Sequence, residues 1–450
     1  MPRAAGPRTR LAWLDLLRGI AALVVALHHA TYYYTPRWRA GLVNWFDPGT
    51  YGVLVFFLIS GYIIPASLER HGQVRSFWIS RLLRIYPLLT TACAIMVLPF
   101  LLGARGLRAG LENYRPATAV LAHLTMLQDV LAVPNVINVL WTLSYEMLFY
   151  LLVVALFVTR THRRSAPIAV TLAAAAVVAG GVLPIAVLSR TVGTGPIVAL
   201  ATLVMATAIT MTVSARPALR IGGAVTGGVL ALVLVSVNGR IGPWQGLVIL
   251  AVMFTGTALY RAEHRQIPRR TAALSAGLVL IGAIVAGILH AQVTMSKAQA
   301  DAFAVYWTGS VLLAAVTFAA GWALRRHRIP AWLTGLGTIS FSLYLLHPVL
   351  LMLSDQFGGT PDHDDAIRLA IFTAVLIMVS ATTYRYIEAP FQRLARRIIR
   401  RSGPGPERGQ AASHDVLVRD DGVAVGQASG EVTADHPVGK EAGRGARGRR

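Results

Sequence analysis

The first long apolar segment of the chain carries its densest set of ionisable side chains. It contains four of them: Asp15, Arg18, His28 and His29. If the segment is helical, the spacing of Arg18 and His29 brings both side chains onto one face, about 16 Å apart. An arginine can bind an anion and an imidazole can accept a proton, so this face could present a bound anionic molecule to a base. An interfacial arginine and a histidine bonded to a neighbouring helix explain the spacing about equally well.

Two more arginines and a carboxylate follow in later segments. Arg81 and Arg84 are three residues apart at the start of an apolar run, close to Tyr86, and could bind phosphates together with Arg18. Ordinary anchoring at the cytoplasmic interface explains this spacing equally well. Glu146 is the one carboxylate well inside a predicted span, where a charge costs about 2.5–3.5 kcal/mol. It therefore needs an imidazole or arginine partner, or it acts as an acid or base.

Three further polar positions stand out. Ser60 precedes Gly61 in an apolar run; a nucleophilic serine is conceivable, but small residues that let helices approach are the commoner reason for such a pair. His347 lies in another predicted span, directly before a proline that favours a kink. Arg385 and Glu388, three residues apart, are expected to form a structural ion pair.

These side chains must be positioned by helices that cross a membrane. Of the 450 residues 55% are hydrophobic and only 14% are charged, against about 25% charged in an average soluble domain. Despite a net charge of +22, a soluble nucleic-acid-binding domain is therefore excluded. Long apolar runs without alternation favour membrane-spanning helices. We predict an all-α, polytopic transmembrane bundle of ten to twelve spans, with candidates at 16–33, 51–66, 84–102, 139–158, 167–187, 196–213, 222–237, 245–260, 272–289, 304–323, 335–353 and 367–385.

The distribution of Lys and Arg predicts the orientation and the domain boundaries. The connections on one side of the predicted membrane carry 25 of these residues and those on the other side carry 9, which predicts that both termini are cytoplasmic. Residues 104–138 are expected to form an outside loop with a short interfacial helix. Residues 1–400 are predicted to be one domain in the cytoplasmic (plasma) membrane. Residues 401–450 have the composition of a disordered cytoplasmic tail.

The N-terminal apolar segment and the cysteine content exclude further features. The first apolar segment imitates a signal peptide, but Arg18, His28 and His29 interrupt it and no small-residue cleavage site follows, so we predict that it is retained. The single cysteine, Cys93, excludes an internal disulfide and a cysteine metal cluster. No metal site is predicted.

Six short motifs follow one another along residues 14–391. They are Leu14-Asp15-Leu16-Leu17-Arg18-Gly19 with His29, Phe56-Phe57-Leu58-Ile59-Ser60-Gly61, Arg81 and Arg84 with Tyr86-Pro87, Trp141-Thr142-Leu143-Ser144-Tyr145-Glu146 with Phe149-Tyr150, Ser340-Phe341-Ser342-Leu343-Tyr344 with His347, and Tyr384-Arg385-Tyr386-Ile387-Glu388-Ala389-Pro390-Phe391. Each motif alone is weak. Together, and in this order, they resemble the acyltransferase 3 family of integral membrane O-acyltransferases.

The resemblance implies an acyl-CoA donor, most often acetyl-CoA, on the cytoplasmic side. The acceptor would be a hydroxyl of a sugar, a cell-surface glycan or a secreted small molecule. His29 would draw the proton from that hydroxyl as a general base, although a covalent acyl-histidine remains an alternative. Arg18, Arg81 and Arg84 would hold the phosphates of the donor.

Other site residues have weaker assignments. Glu146 is a second candidate catalytic residue, which would orient or charge-stabilise an imidazole. No permanently bound cofactor is expected, and the expected partners are acyl-CoA, the acceptor and the lipid bilayer, with no nucleic acid. The candidates for supporting positions are Asp15, Ser60, Tyr86, Trp141 and His347.

The chain also departs from the family pattern. Leu54 stands where members often carry Asp, and Met147 follows Glu146 where a second Glu is common. Both departures weaken any transfer of acceptor contacts from the family to this chain.

Two competing classes fit parts of the pattern. A transporter or flippase would have as many spans, but such proteins tend to show paired half-repeats with broken helices, and the polar motifs here are concentrated in residues 14–150 and 332–391. A purely structural or sensory protein leaves the shared face of Arg18 and His29 unexplained. A passage from the arginines to His29 would favour the enzyme.

Overall fold

The computed structural model describes residues 12–42, 44–103, 106–179, 183–359 and 363–402. Within these ranges the regular structure is helical and contains no strand, which confirms the predicted all-α class. The α-helices in chain order are α1 (Ala12–Tyr34), α2 (Pro36–Leu42), α3 (Pro48–His71), α4 (Val74–Leu101), α5 (Pro116–Leu124), α6 (Trp141–Val158), α7 (Ser165–Ala179), α8 (Val187–Val192), α9 (Thr194–Thr212), α10 (Pro217–Val237), α11 (Pro243–Glu263), α12 (Arg269–Thr294), α13 (Lys297–Ala323), α14 (Ala331–Thr338), α15 (Ser340–Gly358), α16 (Ala366–Thr383) and α17 (Ala389–Ser402).

Ten helices in the described part of the chain are long and apolar enough to cross a membrane. An eleventh crossing is formed if α14 and α15, which meet at 63°, are counted as one broken span. The predicted span at 167–187 is instead the 15-residue helix α7, followed by a break and the short α8. The chain is thus a multi-pass membrane protein. The cytoplasmic position of the termini stays a prediction, and the predicted tail lies outside the described residues from residue 403 onward.

Local sequence sets several helix ends. Proline occupies the first position of α3, α10 and α11, where its missing N–H costs nothing. The Asp47 carboxylate caps α3 by accepting a hydrogen bond from the Thr50 backbone N–H at 2.5 Å, which satisfies one of the unpaired donors of the first turn. At the other end of α3, Gly72 has a φ of 66°, a left-handed conformation that glycine adopts without strain.

Helices α3, α6 and α11 lie at the centre of the bundle, and α4, α9 and α16 lie at its periphery. Small residues allow the central helices to approach closely. A Cβ on Gly61 would lie 1.8 Å from the Met253 backbone oxygen, and a Cβ on Gly256 would lie 2.2 Å from the Leu58 oxygen. Gly61 is therefore explained by the packing of α3 on α11.

A second close contact joins α1 to α14. A Cβ on Gly337 would lie 2.0 Å from the backbone oxygen of Asp15, and a Cβ on Gly19 would lie 2.8 Å from the Cβ of Leu336. The break between α14 and α15 follows directly after this contact, so that Ser340 begins α15. The contact thus fixes the turn of α1 that carries Arg18 against the start of α15.

The segment predicted as an outside loop is packed more deeply than expected. It does contain a short helix, α5, but the chain after α5 is buried. Asn135 donates to Asp129 at 3.2 Å, and Gln128 donates to the Leu140 backbone oxygen at 2.9 Å. Burial raises the pKa of Asp129 to about 6. Internal hydrogen bonds allow this polar segment to be buried.

Candidate functional site

The three arginines chosen from the sequence lie around one cavity. Arg18 comes from α1, and Arg81 and Arg84 come from α4. Arg81 is buried, and its guanidinium lies 5.5 Å from the ring centre of Phe77 and 5.6 Å from that of Tyr150. Within the described part of the chain its Nε has no hydrogen-bond partner. Three guanidiniums in one cavity suit a ligand with several phosphates.

Glu146 lies in this arginine cavity rather than beside an imidazole. Its carboxylate accepts a hydrogen bond from the Tyr150 hydroxyl, and Arg18 and Arg81 are its cationic neighbours. Of the two partner types predicted for a carboxylate in a span, the structure therefore provides arginine. This position offsets part of the cationic charge of the cavity, and a direct catalytic role for Glu146 stays a prediction.

His29 lies in a second cavity and is bonded to another histidine. The Nδ1 of His29 is 3.0 Å from the Nε2 of His347, and the two rings stack with centres 5.1 Å apart. His347 is fully buried, and its Nδ1 lies 3.3 Å from the Leu343 backbone oxygen. A carbonyl can only accept, so Nδ1 of His347 carries a proton and its Nε2 accepts from His29 when both rings are neutral. The neutral His29 ring then has its lone pair on Nε2.

A second pair of residues in this cavity was missed from the sequence. His28 Nε2 lies 3.5 Å from the carboxylate of Asp47, and both residues line the cavity with His29. Neither Asp47 nor His28 was among the site residues predicted from the sequence. The local signal was present, because Asp47 precedes a proline, which is a typical helix start.

The arginine cavity and the histidine cavity share a wall. Val53 and Tyr344 line both. The Tyr344 hydroxyl is 3.1 Å from the Thr142 hydroxyl and 3.3 Å from the Val139 backbone oxygen, and these bonds fix its position. The two predicted halves of the site, anion binding and proton transfer, are therefore adjacent in the fold and separated by these side chains.

His29 also lines a third cavity, which has a volume of about 600 Å³. Its lining includes Tyr32, Tyr33, Phe100 and Asn138. Aromatic faces with an amide suit a ring that carries hydroxyl groups, because they combine apolar contact with hydrogen bonding. His29 thus lines two cavities.

The residues that the sequence predicted to support the site do not all lie at the two cavities. Ser60 lines the arginine cavity and Trp141 lines the histidine cavity. Asp15 lies one turn before Arg18, which is one of its cationic neighbours. Tyr86 instead donates to the Leu124 backbone oxygen, which joins α4 to α5, and it lines neither of these two cavities.

The predicted ion pair near the end of the membrane domain is wrong. The buried carboxylate of Glu388 accepts from the Ser342 hydroxyl, and the Arg385 guanidinium lies over the ring of Tyr386 at 5.9 Å. Arg385 and Glu388 form no ion pair among the residues that the structure describes. The reason is the π-helical turn at Tyr384–Glu388, whose wider geometry changes which side chains three residues apart are neighbours.

The fold and the site define a multi-pass membrane protein in which an arginine cavity adjoins a histidine pair. A family model described as an acyltransferase domain matches residues 11–385. The chain therefore belongs to the acyltransferase 3 family, as its motifs predicted.

Three bacterial proteins are each similar to part of this chain. Nodulation protein 10 of Rhizobium leguminosarum bv. viciae is 30% identical over 196 residues, which cover 36% of this chain and 48% of that protein. Acyltransferase MdmB of Streptomyces mycarofaciens is 33% identical over 150 residues, 32% of this chain and 38% of that protein. Peptidoglycan O-acetyltransferase OatA of Listeria monocytogenes serovar 1/2a is 26% identical over 152 residues, 31% of this chain and 23% of that protein. Each match covers less than half of the relative. No solved structure matches this chain.

Proposed function

We propose that this protein is an O-acyltransferase of the cytoplasmic (plasma) membrane that moves an acyl group, above all acetyl, from acyl-CoA to a hydroxyl group. The observation that carries the proposal is the shared wall of Val53 and Tyr344 between the arginine cavity and the cavity of His29. Family membership supports the same reaction class over a transporter or flippase.

The arginine cavity would hold the phosphates of the donor. CoA carries several phosphate groups, and Arg18, Arg81 and Arg84 offer three guanidiniums to them. Among the described residues Glu146 is the carboxylate that lines the cavity, while Asp15 and Glu388 lie close to Arg18 and Arg84. Because charge-assisted hydrogen bonds to phosphate are strong, the unpartnered Nε of Arg81 is a suitable donor. Arg18 and His29 are about 16 Å apart along α1, a distance that the extended pantetheine arm would cover.

The histidine pair would perform the proton transfer. With Nδ1 of His29 donating to His347, Nε2 of His29 takes the proton of the acceptor hydroxyl. The hydroxyl oxygen attacks the thioester carbonyl, a C–O bond forms, and the C–S bond breaks. The CoA thiolate leaves and the proton on His29 neutralises it, which returns the base to its starting state.

The acceptor would enter through the cavity lined by Tyr32, Tyr33, Phe100 and Asn138. The aromatic and amide lining supports a sugar or another hydroxyl-bearing ring. Similarity to the Listeria peptidoglycan O-acetyltransferase supports a cell-surface glycan as the first acceptor class to test. A secreted small molecule is the second.

The test compares His29→Ala with His327→Ala, which removes an exposed histidine far along the chain. Both purified variants are incubated with acetyl-CoA and with glycan fragments or culture metabolites, and acetylated products are measured by mass spectrometry. We expect His29→Ala to lose at least about 100-fold in rate, while His327→Ala keeps the rate of the unchanged protein. Full transfer by a folded His29→Ala would overturn the proposed role of His29.

A further inference from the structure

A large cavity lies away from the proposed active site, at one end of the bundle. Its volume is about 760 Å³, and it is formed by the loop between α3 and α4, the turn that follows α6, and the loop between α9 and α10. It shares no lining residue with the arginine, histidine or Tyr32 cavities. The buried rings of Phe77, Trp78 and Tyr150 belong to the stretches of α4 and α6 that separate it from Arg81.

The charges of this cavity, which we call the rim cavity, are all of one sign. Its charged lining consists of four arginines, and no Asp or Glu among the described residues lines it. Elsewhere at this end of the bundle arginines do pair with acids: Arg261 with Glu69 at 2.5 Å and Arg325 with Glu263 at 3.2 Å. The four arginines of the rim cavity are Arg75, Arg160, Arg163 and Arg220.

Single exposed basic residues on the cytoplasmic side are ordinary topology signals. Four arginines around one cavity need a further explanation. Like charges gathered around one concavity repel one another and raise the local potential for anions. None of the four arginines forms an ion pair with another described residue, and Glu69, whose charge acts on His162, is itself paired with Arg261. The Nδ1 of His162, which also lines the cavity, is buried without a hydrogen-bond partner in that part. The lining of the rim cavity therefore offers hydrogen-bond donors, and no described carboxylate lines it.

The backbone adds to the same potential. The 28-residue helix α4 begins at the cavity after Gln73, and Gln73 makes no side-chain cap to it. Helix α10 begins beside it after Arg216, again without a side-chain cap. The first N–H groups of a helix lack partners within the helix and carry partial positive charge, so they favour an anion.

The apolar residues in and around the rim cavity favour a lipid over a soluble anion as its ligand. Phe157, Val158 and Val213 line the cavity together with the arginines. Close to it, Val213, Leu219 and Ile221 are 42%, 39% and 48% exposed, as expected for helices whose outer faces contact lipid chains. A ligand with a phosphate group and apolar chains fits a cationic cavity that borders such a surface.

We infer that the rim cavity binds the headgroup of an anionic phospholipid from the leaflet on the arginine-rich side of the membrane. The headgroup phosphate contacts the arginines, and the acyl chains lie against the exposed apolar residues of α9 and α10. This site is independent of acyl transfer.

The test uses the purified, delipidated full chain in detergent and measures its thermal unfolding during titration with dioleoyl phosphatidylglycerol or dioleoyl phosphatidylcholine. The cavity variant is Arg160→Gln with Arg163→Gln. The matched control is Arg326→Gln with Arg328→Gln, which removes the same charge from two exposed arginines outside the cavity. We expect only phosphatidylglycerol to stabilise the unchanged protein, and the cavity variant to bind it about 30-fold more weakly, with little change in the control.

Three results would overturn the inference. Equal weakening in both double variants would mean that the charge acts only through the general surface potential. Equal stabilisation by the two lipids would exclude recognition of the anionic headgroup. Displacement of phosphatidylglycerol by millimolar inorganic phosphate or CoA, with loss of that effect in the cavity variant, would assign the cavity to a soluble phosphate ligand. If the double variant does not fold, Arg220→Gln, on the opposite loop of the cavity, replaces it.

Discussion

At the scale of single residues, the hydrogen bond between His29 and His347 has a direction that follows from chemistry alone. The Leu343 carbonyl can only accept, so it places a proton on Nδ1 of His347. The proton shared with His29 must then come from Nδ1 of His29 when both rings are neutral. In this scheme His347 is a positioning residue that selects the tautomer of His29 and orients its ring.

Replacing His347 separates this role from a purely structural one. His347→Leu removes the acceptor and should lower kcat by about 100-fold with donor KM nearly unchanged, since Nε2 of His29 is no longer held as the base. His347→Gln keeps an acceptor oxygen and should recover part of kcat. Steady-state rates with acetyl-CoA, together with the melting temperature, provide the measurement. If the Gln variant is as inactive as the Leu variant at equal thermal stability, hydrogen bonding to His347 does not matter for catalysis.

At the scale of elements, the site depends on where helices touch without intervening side chains. Gly337 of α14 lies directly on the backbone of Asp15, one turn before Arg18. The chain then bends by 63° and begins α15, which supplies Ser340 and Tyr344 to the arginine cavity. The contact of α1 with α14 therefore positions Arg18 and the first turns of α15 in the proposed donor site.

A pair of glycine variants tests this contact. A Cβ on Gly337 would lie 2.0 Å from the Asp15 oxygen, whereas a Cβ on Gly335, in the same helix, would meet nothing within 4 Å. Gly337→Val should therefore destabilise the protein by about 1–3 kcal/mol and raise donor KM, because the turn that carries Arg18 must move. Gly335→Val should be neutral or slightly stabilising, since valine favours a helix more than glycine does. Thermal unfolding and donor KM are measured for both, and equal effects of the two substitutions would contradict the role of the contact.

The elements also show how far the sequence predicts this molecule. The long apolar spans are evident because lipid permits only helices. The three arginines, which line one cavity in the structure, were grouped from the sequence because charges in or near spans are costly. The partner of Glu146 depends on which helix faces α6, and no periodicity determines that. The burial of Asp129 and the loss of the Arg385–Glu388 pair were missed for a related reason. The first depends on hydrogen bonds that the Asp129 backbone makes with the Ser144 hydroxyl and the Arg240 N–H, which are distant in sequence. The second depends on a π-helical turn that leaves no signal in hydropathy.

At the scale of the whole molecule, α13 connects the two functional ends of the bundle. Midway along it, the Ser310 hydroxyl accepts a hydrogen bond from the backbone N–H of Asp47, the partner of His28, at 2.8 Å. Near its end, Gly321 packs against Leu17, the neighbour of Arg18. The ends of α13 therefore mark the two faces: the Lys297 end marks the face nearer the histidine cavity, and the Arg326 end marks the face nearer the arginine cavity.

Labelling the two ends of α13 tests which face meets the cytoplasm. Cys93, the sole cysteine, is replaced by serine, and a single cysteine is introduced as Lys297→Cys or Arg326→Cys, both at exposed positions. The excess of arginine on the Arg326 side predicts that this side is cytoplasmic. In intact cells, a membrane-impermeant maleimide should label Lys297→Cys at once and Arg326→Cys only after permeabilisation. The reverse pattern would place the arginine cavity on the outside, where acyl-CoA is not available, and would exclude direct use of a cytoplasmic donor.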